Sequence, residues 1–362
     1  MWRPCRNTNS SILRVADVGY GLSTQYCSNG SVLQIDAGGA EASLVRHTLS
    51  DLRRANELII THYHADHYRG LQLLKKSRLP FLHVSNVYLP PIPCEKAEFL
   101  AAFSVVQALG GTSGSMEIDL FHLISELCAS SICTVRKVFQ GEKIQFADKK
   151  LHVVWPPKQY DAANFSKRVI AVLDEYHEAI DGVDILREYT KKLTVQIEGS
   201  AYFGKGASKK NDRNTTKEEE EKKDELVKLF DALKRKKQEG VFAEEMSRLN
   251  KRMRAIANEV SLAFHDSDRL LFFSDQEDGN LPQIVEYLMG CGLYRFDTIL
   301  AAHHGTHWHD DIRKLHARRT ITSNGDHLSM TYDKNWDSIS WESKQTRWHG
   351  NIEVCFPMCS PC

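Results

Sequence analysis

The sequence of 362 residues contains no continuous apolar run of about 18 residues, the length that a helix needs to cross a membrane. Its first residues also lack the apolar stretch of a secretory signal, so we expect neither a membrane span nor export, and a cytoplasmic location is the expectation. Charge of one sign is not in excess either, because 47 basic and 47 acidic residues give a formal net charge of zero. This balance excludes a protein that is held to nucleic acid mainly by a whole-chain positive charge.

Cysteine is sparse and scattered, with nine residues in all. An odd number at wide intervals predicts reduced thiols rather than a disulfide framework. Internal repeats of 20–50 residues are also lacking, which argues against a solenoid or a propeller. The 42% hydrophobic and 26% charged content is that of a chain with a packed core, which excludes a disordered or collagen-like protein.

Histidine, by contrast, is plentiful, with 16 residues, and several of them cluster at the ends of predicted strands. The run His-Tyr-His-Ala-Asp-His at 62–67 follows the apolar segment 57–60, and two later apolar segments end in Asp275 and in His303-His304. Imidazole nitrogen and carboxylate oxygen are ligands that zinc and similar divalent ions prefer. We therefore predict a divalent metal centre where these strand ends meet.

These motifs resemble those of the metallo-β-lactamase-fold hydrolases, whose HxHxDH signature stands here as His62, His64, Asp66 and His67. Within that superfamily the chain is most similar to the hydrolase domain of the ComEC-type DNA-uptake (competence) proteins and to their stand-alone soluble relatives. The segments that carry this closer similarity are 15–21, 34–39, 61–71, 259–278 and 299–311. The resemblance implies an α/β fold, a four-layer αββα sandwich over 11–357 that is interrupted by a helical insertion at 160–257.

The resemblance also implies a ligand set for two divalent ions. Its members are His62 and His64 for one ion, Asp66 and His67 for the other, Asp275 as the bridge, and His304 to complete the second ion. Asp66 and His303 are the implied catalytic residues, with His303 donating a proton to the leaving oxygen, although the sequence leaves open which of the adjacent histidines is the ligand. Asp36 is implied to support the histidine loop through hydrogen bonds rather than to bind metal.

One position departs from the pattern of the superfamily. Many members have a further histidine just before the strand pair that leads to the bridging aspartate, whereas this chain reads Ala-Asn-Glu-Val-Ser at 257–261. Asn258 is placed with Asp36 as a supporting residue, and its carbonyl oxygen would be a weaker ligand than imidazole. Zinc is the expected metal, but such a loosened site would favour manganese or magnesium.

The insertion has a strongly charged second half. Residues 207–258 contain 15 basic and 11 acidic residues, and their apolar residues keep helical spacing, which predicts a helical hairpin at about 207–257. Two interpretations remain open. The hairpin either packs on its own domain or is an arm that binds nucleic acid or a protein partner.

The resemblance implies a hydrolase in which a metal-activated water attacks an ester. Phosphodiesters fit best because two cations can hold both the attacking and the departing oxygen, which predicts a nuclease or another phosphodiesterase with nucleic acid as a substrate. Two alternatives remain. One is a hydrolase of small esters, lactones or thioesters with the same fold. The other is a hydrolase subunit of a multi-protein defence or DNA-processing complex that docks through 207–257.

Overall fold

The protein is described here by a computed structural model. The described residues are 10–110, 120–128, 133–160, 164–200, 202, 228–229, 232, 235, 243–267, 269–328 and 330–357. The chain divides into two compact units, one built from 1–91, 126–160 and 258–362 and the other from 92–125 and 161–257. Most of the predicted hairpin at 207–257 lies outside the described residues, so its interpretation stays a prediction.

The first unit contains two seven-stranded sheets, and the first of them joins both ends of the described chain. Its strands, in spatial order, are β14 (Ile352–Pro357), β1 (Ser10–Val15), β2 (Ser23–Ser28), β3 (Ser31–Ala37), β4 (Glu57–Ile59), β5 (Asn86–Leu89) and β6 (Thr134–Lys137). The strands from β14 to β3 pair antiparallel, and those from β3 to β6 pair parallel. The parallel half therefore brings several carboxyl ends of strands to one edge.

The second sheet also has an antiparallel half and a parallel half. Its strands, in spatial order, are β13 (Ser340–Gln345), β12 (His316–Thr322), β11 (Arg295–Leu300), β10 (Leu270–Phe272), β9 (Ala263–Asp266), β8 (Lys149–Trp155) and β7 (Lys143–Phe146). The strands from β7 to β10 pair antiparallel, and those from β10 to β13 pair parallel. The carboxyl ends of β10 to β13 consequently share one edge.

The two sheets pack face to face on one apolar core. That core joins Leu13 and Leu33 of the first sheet to Phe264 and Phe272 of the second, and all four side chains are fully buried. The sequence produces this arrangement by alternation, as in β7, where exposed and buried residues alternate.

Helices cover the outer faces of both sheets in this unit. They are α1 (Ala42–Leu52), α2 (Ala65–Lys75), α8 (Leu281–Gly290) and the short α9 (Thr346–His349). Val45 of α1 packs on Ala16 and Val18 beside the first sheet. In α8, Leu281 and Ile284 are three positions apart and lie on one buried face of the helix. This face packs into an apolar cluster on the second sheet. The predicted α/β class with two central sheets between helical layers is confirmed.

The second unit is helical within its described residues. Its helices are α3 (Ala97–Gly110), α5 (Phe165–Ala179) and α6 (Asp184–Glu198), together with most of α4 (Leu120–Leu127) and of α7 (Ala243–Glu259). In α7, Met246, Leu249 and Met253 are fully buried, so the predicted spacing forms one apolar face. Gly110 lies against Met246, where a Cβ atom would come within 2.5 Å of the Met246 backbone.

The expectation of reduced thiols fails for one described cysteine. Cys27 in β2 takes part in a disulfide, whereas the other described cysteines form none, as expected. No described helix is both long and apolar enough to cross a membrane.

Candidate metal centre

The predicted site residues follow the ends of strands in both sheets of the first unit. In the second sheet, Phe272 of β10 pairs with Leu300 of β11 in parallel register. Asp275 lies three positions after Phe272, and His303 lies three positions after Leu300. Both residues therefore lie side by side at the carboxyl edge of the second sheet. In the first sheet, the motif at 62–67 follows β4 and runs into α2, which begins at Ala65.

Asp275 lies at the centre of the cluster, and its two carboxylate oxygens face different histidines. Oδ1 lies 3.3 Å from Nε2 of His67, and Oδ2 lies 3.6 Å from Nε2 of His62 and 3.4 Å from Nε2 of His304. A carboxylate with this placement can bridge two cations, the role that the sequence resemblance implies for Asp275.

Two groups of three potential ligands share His67. In the first group, His62, His67 and Asp275 are all buried, and their ligand atoms lie within 4.8 Å of one another. The second group combines His67 with Asp66 and His304 within the same limit. Nε2 of His304 lies 3.9 Å from Oδ2 of Asp66, so the geometry favours His304 over its neighbour as the ligand.

His64, the implied partner of His62 on one ion, lies beside it in the structure. Its buried ring lies beside that of His62, with the ring centroids 4.4 Å apart. It belongs to neither of the two groups in the described part of the chain, in which His62 is grouped with His67 instead. The implied pairing of His62 and His64 on one ion therefore stays a prediction.

Asp36 joins the first sheet to the histidine motif from the end of β3. Its Oδ2 lies 2.7 Å from Nδ1 of His67, and its Oδ1 accepts a hydrogen bond of 2.7 Å from the backbone N–H of Thr61. The Thr61 hydroxyl donates to Asp36 and accepts from the hydroxyl of Ser274 in the second sheet. This network fixes the ring of His67 so that Nε2 faces Asp275, as expected of a residue that orients a ligand.

The donor set fits a divalent cation. Both ring nitrogens of His62 and Nε2 of His304 are buried without a hydrogen-bond partner among the described residues. A buried polar atom without a partner is costly unless something else binds it. Neutral imidazoles and carboxylates in one cluster are typical of zinc and related ions. A bound cation would therefore give these buried nitrogens the partners that the protein itself does not supply.

Electrostatic effects keep most of these groups in forms that can bind a metal. Burial lowers the pKa of His62 well below its usual range, and the neighbouring His67 lowers it further. Burial would raise the pKa of Asp275, but His304 and the other imidazoles around it hold it well below its usual range. For His67, burial is outweighed by Asp275 and Asp36, which raise its pKa well above the usual range. The negative charge of the buried carboxylates therefore favours a positive charge, such as that of a bound cation, beside His67.

Backbone strain occurs in the same loops. Asp36, Ser274, His303 and His304 all have positive φ angles, between 44° and 57°. Such angles are uncommon in non-glycine residues and are found where the surrounding structure fixes a functional geometry. Gly38 brings the β3 loop close to the motif, since a Cβ atom there would come within 1.9 Å of the backbone oxygen of Asp66.

Glu277 beside the site was missed in the sequence. Asn258, predicted to support the first metal, donates a hydrogen bond of 2.5 Å from Nδ2 to Oε1 of Glu277, and its buried Oδ1 has no hydrogen-bond partner among the described residues. Glu277 in turn lies with His303 and His307 in a third group of potential ligands. The available signal was the acidic run at 275–278, which follows the same strand end as the predicted bridge.

Comparisons with known proteins give structural matches only. No family model matches the chain, and no curated protein matches it. Among solved structures, the chain is similar to the metallo-β-lactamase-fold protein YhfI from Bacillus subtilis, with 9% identity, a TM-score of 0.40, and 95% of this chain and 99% of that chain covered. A diphosphatase from the PhnP family matches with 10% identity, a TM-score of 0.43, and coverages of 97% and 100%.

A further match is MEM-A1, a subclass B3 metallo-β-lactamase isolated from a soil metagenome library, with 17% identity, a TM-score of 0.26, and coverages of 40% and 48%. The resemblance of the sequence to metallo-β-lactamase-fold hydrolases and its closer resemblance to the ComEC-type domain both stay predictions. Because all three TM-scores lie below 0.5, the chemistry of this chain has to be inferred from its own side chains.

Proposed function

We propose that this chain is a metal-dependent hydrolase that cleaves phosphodiesters, as a nuclease or a smaller phosphodiesterase similar to the ComEC-type hydrolase domain. The observation that carries the proposal is the position of Asp275 between His62, His67 and His304, with its two oxygens facing different histidines. Two divalent ions at such a centre supply Lewis acidity and lower the pKa of water. The chain's own residues then have to hold the substrate, orient it and move protons.

His303 is placed to supply a proton. Its Nε2 lies 3.6 Å from Oδ2 of Asp275, and its side chain is 20% exposed, so a bound substrate could reach it. Burial lowers its pKa to about 4, so near neutral pH the ring is neutral and carries one N–H group. We assign His303 the role of donating a hydrogen bond from this group to the departing oxygen.

Asp66 is the least buried member of the second group, with a side chain that is 13% exposed, so water can reach its carboxylate. Its position in the first turn of α2 is fixed by the helix. We propose that its carboxylate orients the attacking water and accepts its proton. Phosphodiesters suit this arrangement because both the attacking and the departing oxygen need charge stabilisation.

The test is a cleavage panel. Purified protein is incubated with single-stranded DNA, double-stranded DNA, RNA and bis-p-nitrophenyl phosphate, each with zinc, manganese or magnesium. Asp66→Ala and His67→Ala should abolish cleavage, while His316→Ala, at the exposed start of β12, should not change it. If none of these substrates is cleaved with any of the metals, the proposal is rejected. Turnover of a lactone or of nitrocefin would favour a small-molecule hydrolase instead.

A contribution of the predicted hairpin to substrate or partner binding can be tested separately. The deletion should remove 207–240 and not extend further, because Met246, Leu249 and Met253 of α7 are core residues. Lost DNA binding with intact cleavage of bis-p-nitrophenyl phosphate would indicate a substrate arm. Lost complex formation with intact DNA cleavage would indicate a docking element.

A further inference from the structure

A surface cavity of about 280 Å³ lies at the same edge of the first sheet as the metal centre. It lies between the end of β1, the start of β14 and α1, and its lining includes Asp17, Leu44, His47, Thr48, Asp51 and Asn351. Val15 at the end of β1 is opposite Thr24 of β2, which is opposite Ile35 of β3. Because β1 and β3 are two strands apart, the cavity lies about 10 Å along the edge from the end of β3, which carries Asp36.

The short helix α9 connects the second sheet to the first at this edge, because it follows β13 and precedes β14. The hydroxyl of Thr346 in α9 donates a hydrogen bond of 2.9 Å to the backbone oxygen of Asn324 and accepts one of 3.1 Å from its backbone N–H. Ser323, the preceding residue, lines a small space beside the metal centre together with Asp275 and His304. One loop therefore contacts both the metal centre and α9, and α9 leads directly to the lining of the cavity.

Trp348 of α9 is a large aromatic side chain that is 68% exposed. The guanidinium of Arg347 lies over its ring, with Cζ 4.3 Å from the ring centroid, and Nε of Arg347 lies 3.1 Å from Oδ1 of Asp326. A cation thus covers part of the indole, and the exposed part is accessible to a second planar group. Aromatic side chains stack on nucleic-acid bases of any sequence, because every base has a π face.

The polar groups in the cavity suit a base better than a phosphate. The carboxylates of Asp17 and Asp51 would repel a phosphate, whereas carboxylates and amides form hydrogen bonds with the edges of bases. Oδ1 of Asn351 accepts a hydrogen bond of 2.8 Å from the backbone N–H of Asp17, which fixes the amide of Asn351 at the cavity. The volume is close to the lower limit of small-molecule sites, about 300 Å³, and suits a single base.

We propose that this edge binds a single-stranded nucleic acid, with one base stacked on Trp348 and a neighbouring base in the cavity beside Asp17 and Asn351. The inference rests on the proposed function, since the phosphodiester to be cleaved lies at the metal centre. Bases inside a duplex are paired and stacked on one another, so a duplex offers no free base to such a site except at its ends. The spacing along the edge requires an oligonucleotide rather than a single nucleotide.

The test measures binding apart from cleavage. Zinc-loaded protein that carries Asp66→Ala is titrated into a fluorescein-labelled single strand of about 12 nucleotides, or its blunt duplex, and fluorescence anisotropy gives the Kd. Trp348→Ala should weaken binding of the single strand about 5- to 100-fold and reduce the preference for it over the duplex. Trp348→Phe, which keeps an aromatic face, should restore most of the affinity. Circular dichroism verifies that the variants are folded.

Trp341→Ala is the matched control. Trp341 is 93% exposed but lies near the amino end of β13, four residues before its carboxyl end, so its loss should leave the Kd unchanged. Thr48→Met tests the cavity, because the longer side chain narrows it, and should weaken binding of the single strand about tenfold. The hydroxyl of Thr48 donates to the backbone oxygen of Val45 in α1 and is not needed for the proposed binding.

Equal Kd values of the single strand for Trp348→Ala and for the protein with Trp348 intact would overturn the inference. So would an equal loss in Trp341→Ala, or a protein that binds no single strand or prefers the duplex. If Trp348→Ala weakens binding but the wild type cleaves no phosphodiester, the proposed function fails and this binding site stands. If the wild type cleaves phosphodiesters and Trp348→Ala binds the strand equally well, this inference fails and the proposed function stands.

Discussion

The buried centre around Asp275 and the exposed cluster around His307 use the same kinds of side chain in different surroundings. His62, His67 and Asp275 are buried, and their positions are fixed between two sheets, whereas Glu277, His303 and His307 are only partly buried and belong to loops. At the exposed cluster, water can replace an absent cation at little cost. At the buried centre it cannot, because polar atoms there would lose their partners. We therefore expect tight metal binding at the centre and no comparable binding at the exposed cluster.

The largest effect is expected for Asp275→Asn. The substitution removes the charge that faces His62, His67 and His304, so it should lower the rate of metal-dependent cleavage of bis-p-nitrophenyl phosphate about 1000-fold, which corresponds to about 4 kcal/mol of lost transition-state stabilisation. Asp278→Asn at the exposed cluster should lower it less than tenfold. Similar losses in both variants would contradict the distinction between the two regions.

Removal of metal should destabilise the protein mainly through the buried centre. A ligand at 100 to 1000 times its Kd adds about 3–4 kcal/mol to the free energy of unfolding. Urea denaturation with zinc and with chelator should show a difference of this size in the wild type and in His307→Gln. In His67→Gln, which lacks the histidine shared by both central groups, the difference should be largely lost.

Asp36→Asn tests the support of the centre without removal of a ligand. Its Oδ2 lies 2.7 Å from Nδ1 of His67, so we expect zinc affinity at the centre to fall about 10- to 100-fold. Asp266→Asn is the matched control, because Asp266 is also buried and accepts a hydrogen bond from Tyr26, but lies in β9 away from the cluster. It should lower stability and leave zinc affinity unchanged. Equal effects on affinity would mean that Asp36 has no specific role.

The smallest effect concerns close packing at two glycines. Gly38→Ala would place a Cβ atom 1.9 Å from the Asp66 backbone, so we expect it to lower the free energy of unfolding by about 1–3 kcal/mol and to weaken zinc binding. Gly279→Ala near the exposed cluster meets no atom within 4 Å and should change stability by less than about 0.5 kcal/mol. Thermal unfolding and zinc titration of both variants measure the contrast.

Much of the fold was predictable from the sequence because its strands are apolar and end in distinctive residues. The segments that precede Thr61, Asp275 and His303 are buried strands of two sheets, as expected. Strand β13 is not apparent in the sequence, since Ser-Trp-Glu-Ser-Lys-Gln at 340–345 has little apolar content and lies at a sheet edge. The helix α2 begins at Ala65, inside the histidine motif, and continues through Gly70, a residue that disfavours a helix interior.

The site was less predictable than the fold, because sequence order does not reveal which side chains face each other. The motif at 62–67 predicts that His62 and His64 share an ion, but it does not reveal that the ring of His62 also lies beside His67 and Asp275. The contact between Asn258 and Glu277 joins residues 19 positions apart, and no periodic pattern records it. The disulfide of Cys27 was missed for the same reason, since scattered cysteines do not identify their partners.

The central claim is that Asp275 bridges two cations, whose other ligands include His62, His67, Asp66 and His304. It is tested most directly by the zinc content of Asp275→Asn, measured by mass spectrometry after chelation and dialysis against buffered zinc, beside His307→Gln. We predict that Asp275→Asn loses the tightly bound zinc and that His307→Gln keeps it. Equal numbers of tightly bound zinc ions in Asp275→Asn and in the wild type, or a wild type that binds none, would contradict the account.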